Sequence, residues 1–469
     1  MTLTIALNEL KSFRRNGVFV ALVASMLALS LAAAALSFQR MATFERERAA
    51  AQETDREVFN NQGERNPHSA AHFSRYAFKP IPALASFDPG ITDYAGIALW
   101  MEAHYQNPAV FRRAEDLGDA GRFADLSPAW ILQVAAPLFL FLVLFAAIAG
   151  EREQGTLRQT LASGVSTRKL AFGKLFGALL GVLLIVAPAL LIGLLVAGNS
   201  VGATLPDPML RVLGLVLAYS VFLLTMGALA LGVSAVVREK RTALLALVGI
   251  WGAAFVFLPR MAATVALASH PLPSSTALSE ALSDASRTFS RDEAAQAAMD
   301  ADLLAEHGVG STDDLPFNYG GYRLQYSEEY THPLFEAFYA DLDATYRNQE
   351  RVIARFSLLS PVVALDTLSA GLAGTDRIHH DAFRSAAEQH RRALVKRLNE
   401  DLQYNAGDAG FAYSADAALW QQVEDFNHQP PAFASVSSHY RFSVAVLLAY
   451  ALGAAAFAAW TLGRVRKGV

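Results

Sequence analysis

Residues 150–174 read GEREQGTLRQTLASGVSTRKLAFGK, a charged, glycine-punctuated stretch between two long apolar runs. The run before it is AWILQVAAPLFLFLVLFAAIA (129–149), and the run after it is LFGALLGVLLIVAPALLIGLLVAG (175–198). Each has the roughly 20 apolar residues that a helix needs to cross a bilayer core. A turn between two such helices needs only a few residues. This segment is long enough to hold a short helix of its own, and TLRQTLA has the pattern for one, with Thr156 as its expected N-cap.

The same length criterion marks six spans along the chain: 17–38, 129–149, 175–198, 210–236, 242–262 and 442–462. The first is too long for a signal-peptide core and is followed by QRMATFERER, not by a small-residue cleavage site, so it reads as an uncleaved span. Composition agrees: of 469 residues 53% are hydrophobic and 17% charged. A net charge of −4 argues against a nucleic-acid partner. The chain has no cysteine, which excludes thiol chemistry, disulfides and Cys-ligated metals.

Basic residues near the span ends set the orientation. Lys11, Arg14 and Arg15 precede the first span, and Arg152, Arg158, Arg168, Lys169 and Lys174 lie between the second and third. Arg238, Lys240 and Arg241 separate the fourth from the fifth, and Arg464, Arg466 and Lys467 follow the last. The loop NSVGATLPDP, between the third and fourth, has neither Lys nor Arg. Both termini, including the tail 463–469, are therefore expected in the cytoplasm. Two large segments, 39–128 and 263–441, fall outside and read as ordered and mainly helical. The opening residues 1–16 place Leu3, Leu7 and Leu10 on one side of a helix, the pattern of an amphipathic element lying in the inner interface.

The stretch 150–174 resembles the signature of type-2 ABC-exporter permeases, in which Glu-x-Glu-x-Gly-Thr-Leu leads into a coupling helix. A Ser/Thr-Arg turn and a Gly-Lys pair follow in that family. The matching positions are Glu151, Glu153, Gly155, Thr156, Leu157, Ser166, Thr167, Arg168, Gly173 and Lys174; the family usually has proline where this chain has Gly164. A second likeness is the Leu-Ser-Pro element Leu359, Ser360 and Pro361 within 356–376, which in the family forms a short helix at the outer membrane face. The spans and the two large insertions together look like a bacterial permease family still described as a domain of unknown function.

The resemblance implies an all-α membrane protein of six transmembrane helices, with a largely helical periplasmic domain built from the two insertions. It implies a permease subunit in the bacterial inner membrane, paired with a second permease copy or a homologous permease. ATP and Mg would bind a separate ATP-binding cassette subunit, and no cofactor is expected in this chain. Membrane lipid and a periplasmic partner complete the expected contacts. In the loop, Glu151 and Glu153 are expected to pair with basic residues of the cassette or with Arg152 and Arg158. Leu157 and Leu161, four apart on one helical face, are expected to form an apolar knob for a groove in the cassette.

Enzyme readings do not hold. Gly173-Lys174 lacks the upstream glycine and following Ser/Thr of a phosphate loop, so this chain is not expected to hydrolyse ATP. Ser166-Thr-Arg-Lys169 matches Ser-x-x-Lys with no supporting motif. His379, His380 and His390 lack metal-ligand spacing and read as solvated helix-surface residues, so no metal site is expected. A second class of function, a membrane-anchored receptor or scaffold, gives no use to a coupling helix. A secondary carrier would need ionisable residues inside the spans, and these look nearly empty of them.

Overall fold

The computed structural model describes residues 2–15, 17–73, 75–116, 126–199 and 205–465. The side chains of Thr167 and Arg168, and all of Arg466 and Lys467, fall outside the described set. Five helices among the described residues are long and apolar enough to cross a membrane: Gly17–Asn60, Pro128–Glu153, Pro208–Val236, Lys240–Ser269 and Phe433–Arg464. The expected span 175–198 lies in one 32-residue helix, Thr167–Gly198. Its described apolar portion is the shorter segment Phe172–Leu183.

The first long helix departs from expectation at its far end. It runs 44 residues to Asn60, about 66 Å at 1.5 Å per residue, and does not stop at 38. The apolar run ends where the membrane would, but FERERAAAQETDREVFN contains no glycine or proline to end a helix, and helix formers dominate it. Arg48 and Glu45, one turn apart, pair at 2.6 Å on this extension. The insertion therefore begins as a continuation of the span, not as a loop after it.

Two irregular stretches have a common cause. A proline has no N–H, so the carbonyl five residues before it has no donor in a widened helical turn. The π-helical stretches Ile131–Ala135 and Gly252–Phe257 each end two residues before a proline, Pro137 and Pro259. The Ala254 carbonyl, five before Pro259, accepts from the Ser360 hydroxyl at 2.5 Å instead. The Trp251 indole N–H donates to the Val134 carbonyl at 2.9 Å, which ties the two widened stretches together.

Helix Pro208–Val236 packs along Arg441–Arg464 and also touches Thr167–Gly198 and Pro361–Ala373. Near its first turn, Arg211 is fully buried. Its guanidinium donates to the carbonyls of Pro206 (2.8 Å), Gly371 (3.1 Å), Leu372 (3.2 Å) and Pro431 (2.9 Å), and lies 3.3 Å from His379 Nε2. The Gly371 and Leu372 carbonyls close the helix Pro361–Ala373, so the charge sits at the negative end of that helix dipole. Arg211 lies just inside the expected span 210–236, which was read as almost free of charge. It was missed because its partners are carbonyls from distant segments.

His379 and His380 are buried, not solvated as expected, and His390 is half-buried. His379 Nδ1 and the Tyr440 hydroxyl both bond Asp376, each at 2.6 Å. Burial would raise the Asp376 carboxyl, but those bonds outweigh it and hold it below its ordinary value.

The two insertions share one hydrophobic core. Phe59, Ala70, Ala71, Ala77, Leu99 and Met101 from the first pack with Phe383, Leu394, Leu398, Leu419 and Trp420 from the second. The first insertion is not wholly helical: Arg75–Phe78 and Ala98–Met101 pair antiparallel, with Arg75 opposite Met101 and Phe78 opposite Ala98. The second insertion is helical, with Tyr319–Phe356 and Arg377–Asn405 packed together. Arg391, buried, joins the two insertions by bonding Glu328 at 3.2 Å and the Glu102 carbonyl at 3.0 Å.

Phe59→Ala removes a ring from this shared core and should cost about 3–5 kcal/mol of local stability. Limited proteolysis checks it. The variant is expected to be cut faster in the second insertion as well as the first, whereas separate cores would confine the new cuts to the first.

Candidate functional site

The stretch 150–174 folds as two short helices and a turn. Ala149–Glu153 ends the second span, and Thr156–Ala162 follows. Between them Gly155 is left-handed at φ 72°, a conformation that a side chain would strain. Gly155 is the N-cap, not Thr156, whose hydroxyl instead donates to the Glu151 carbonyl at 3.2 Å. A second left-handed glycine, Gly164 at φ 87°, turns the chain into the helix that starts at Thr167. The usual proline of the resembled family would not reach that φ.

The charges of this stretch are turned inward. Lys174 Nζ, on a side chain only 2% exposed, contacts Glu9 Oε1 at 2.7 Å and Glu151 Oε1 at 2.6 Å. The cation thus joins the N-terminal helix Thr2–Arg15, the end of the second span and the start of the helix Thr167–Gly198. Close packing makes this reach possible. A Cβ on Gly173 would lie 2.6 Å from Ile5 Cβ, and one on Gly177 would lie 2.8 Å from Glu9 Cβ. This pair of glycines four apart lets one helix lie directly on the other.

Arg152 and Glu153 hold the neighbouring helices. Arg152 donates to the Val237 carbonyl and, at 2.9 Å, to the Ala235 carbonyl, the exposed acceptors at the end of helix Pro208–Val236. Glu153 Oε1 accepts from the Lys240 backbone N–H at 2.7 Å, at the start of the next span. Its other oxygen lies 3.6 Å from Lys240 Nζ. The Ser234 hydroxyl adds a further tie, accepting from the N–H groups of Ile148 and Ala149 at 3.0 and 3.2 Å.

Glu151 and Glu153 pair with Lys174 and Lys240 of this same chain. One expectation is corrected here: Leu157 is fully buried in the core of the membrane helices and so forms no knob for a partner, while Leu161 packs partly buried against that core. Periodicity put them correctly on one face, but the chain itself covers that face. The outward face of Thr156–Ala162 carries Arg158, Gln159 and Ala162 instead. The side chain of Arg168 lies outside the described residues.

At the other end of the membrane helices lies the Leu-Ser-Pro element. Leu359 is exposed, Ser360 and Pro361 are buried, and Pro361 opens the helix Pro361–Ala373. That helix is packed among the spans. Ser369 accepts from or donates to the Tyr219 hydroxyl at 2.9 Å, and Tyr219 also accepts from Gln133 at 3.0 Å. A Cβ on Gly371 would fall 2.3 Å from the Tyr440 ring, which shows how closely Arg441–Arg464 and its lead-in approach. Sequence reasoning missed Glu9, Lys240 and Arg211. For Lys240 and Arg211 the readable signal was a charge at the border of an apolar run.

Residues 123–283 match the ABC-2 family transporter proteins. Residues 279–429 match a family described only as a domain of unknown function. The chain is an ABC-2 type permease carrying a domain of unknown function. The first match takes in the loop 150–174 and the spans around it; the second takes in most of the second insertion, with Leu359, Ser360 and Pro361 inside it. No curated protein matches the chain. The match supports a permease subunit of an ABC transporter and implies an ATP-binding cassette partner.

Lys174→Met leaves Glu9 and Glu151 facing each other without a cation, and should destabilise the permease by about 3 kcal/mol. The thermal midpoint in detergent measures this. Adding Glu9→Gln and Glu151→Gln to Lys174→Met should recover much of the loss, because no unpaired charge then remains. Leu157→Asp puts a carboxylate into the apolar core and should reduce folded protein, measured as the monodisperse fraction on gel filtration.

Proposed function

We propose that this permease couples ATP hydrolysis in a separate cassette subunit to export, or extraction of a substrate from the membrane, across the bacterial inner membrane. In this reading ATP and Mg bind the cassette alone. Six spans cross the membrane, the helix Thr167–Gly198 being the sixth, and two permease copies or two homologues act together. The termini and the loop 150–174 face the cytoplasm, as the basic residues favour. The insertions then lie in the periplasm.

Geometry supports opposite placement of loop and insertions. Arg211 ties one end of helix Pro208–Val236 to the second insertion, and Arg152 ties the other end to the loop. About 24 helical residues separate these points, roughly 36 Å, which is a bilayer core.

The observation that carries the coupling reading is the inward clamping of Glu151, Arg152, Glu153 and Lys174. Energy passes between sites only through an element that both sides can bias. Here the short helix Thr156–Ala162 is joined at its base to four membrane-border elements: Thr2–Arg15, Thr167–Gly198, Pro208–Val236 and Lys240–Ser269. A push on its outward face would therefore move all of them together. The loop charges act as locks within the permease, and Arg158, Gln159 and Ala162 supply the docking face.

The double change Arg158→Glu, Gln159→Glu should leave the thermal midpoint within about 1 °C of wild type, because exposed positions contribute little to stability. It should sharply reduce co-purification of the cassette and its permease-dependent ATPase activity in nanodiscs. Unchanged co-purification and ATPase activity would remove this face from the coupling contact.

A further inference from the structure

His68, His72 and His104 bring their ring nitrogens within 4.8 Å of one another in the outer domain, far from the loop. His68 and His72 lie one turn apart on the helix Pro67–Phe73, and His104 follows the strand Ala98–Met101. His68 Nε2 is 3.2 Å from His72 Nε2 and 3.3 Å from His104 Nε2. Two imidazoles on one tetrahedral zinc, with bonds of about 2.0–2.1 Å, hold their nitrogens about 3.3–3.4 Å apart.

The outer nitrogens fix the tautomers. Asn399 Nδ2 donates to Gln325 Oε1 at 3.2 Å, which turns Asn399 Oδ1 towards His68 Nδ1 at 3.0 Å. His104 Nδ1 lies 2.7 Å from Glu328 Oε1. An amide oxygen and a carboxylate only accept, so both Nδ1 atoms carry the proton. With both rings neutral, the Nε2 atoms of His68 and His104 are then bare, with two lone pairs facing each other at 3.3 Å. His72 can donate a proton to one of them but not supply the charge that both lone pairs call for.

We infer that His68, His72 and His104 form a binding site for a divalent transition-metal cation of the imidazole-preferring class, zinc being the type case, with Asn399 and Glu328 orienting two of the ligands. Paired carboxylate–imidazole support of this kind fixes ligand orientation at metal sites. All three ligands come from the first insertion, and both supporting oxygens come from the second. A bound cation would tighten the joint between the two insertions. Three protein ligands leave a fourth position for water, and the exposed edge of His72 gives access to it. Glu328 is held in place from its far side by buried Arg391 at 3.2 Å.

The full-length permease, purified in detergent and stripped with a chelator, is titrated with zinc sulfate by calorimetry, with elemental analysis after desalting. One zinc per chain is expected. His72→Ala and His104→Ala should each weaken binding at least about 100-fold, and Glu328→Gln about 10- to 100-fold. His390→Ala, outside the cluster, should bind as wild type. His72 is exposed, so its alanine variant is expected to fold, and an unchanged metal-free thermal midpoint verifies that. Zinc should raise the midpoint of wild type and not of His72→Ala. Wild type without stoichiometric zinc, or binding equally tight in His72→Ala and His104→Ala, overturns the site.

Discussion

A single ammonium group, Lys174 Nζ, joins the N-terminal helix, the end of the second span and the helix Thr167–Gly198 at one end of the membrane helices. It is almost wholly buried, and two carboxylates from distant parts of the chain, Glu9 and Glu151, satisfy it. A lone buried ammonium would be costly, and two unpaired carboxylates more so, so the three groups keep one another in place. That constraint requires the N-terminal helix to lie against Gly173 and Gly177. It also holds the loop helix Thr156–Ala162 close enough for Leu157 to be buried beneath it. Arg152 and Glu153 extend the same logic by meeting the free backbone groups at the ends of the neighbouring spans.

The opposite end of helix Pro208–Val236 is built on a similar principle with a different charge. Arg211 gathers carbonyls from three segments and the ring of His379. It thereby fastens the start of helix Pro208–Val236 to the Leu-Ser-Pro helix and to the lead-in of the last span. A stiff helix with both ends fastened can carry a displacement from the loop towards the domain of the two insertions. The shared core around Phe59 and Trp420 makes that domain a common body for both insertions.

Much of this was legible in the sequence because bilayer length and helix rise leave little freedom: the expected span 210–236 is the helix Pro208–Val236. The charged loop was also readable, since Glu151, Glu153, Gly155 and Lys174 stand at fixed spacings. Partners were not. The i,i+4 relation of Leu157 and Leu161 says that they share a face, but not whether another subunit or the chain's own core covers it. Glu151 meets Glu9 through Lys174, a contact that no local pattern encodes. The helix beyond residue 38 was lost because hydropathy detects membrane, not helix. The i,i+4 pair His68 and His72 went unread, and His104, Glu328 and Asn399 come to it only through the fold.

The loop presents Arg158 outward and keeps Leu157 inside, and the proposed cassette contact lies on that outward face. The chain has no cysteine, so one introduced thiol is a unique probe. Maleimide labelling of Arg158→Cys and of Leu157→Cys, in inside-out membrane vesicles with and without the cassette, reads both positions directly. The account predicts that Arg158→Cys labels readily and is protected when the cassette is bound, while Leu157→Cys stays unlabelled in both conditions. Ready labelling of Leu157→Cys, or labelling of Arg158→Cys that the cassette does not change, would contradict it.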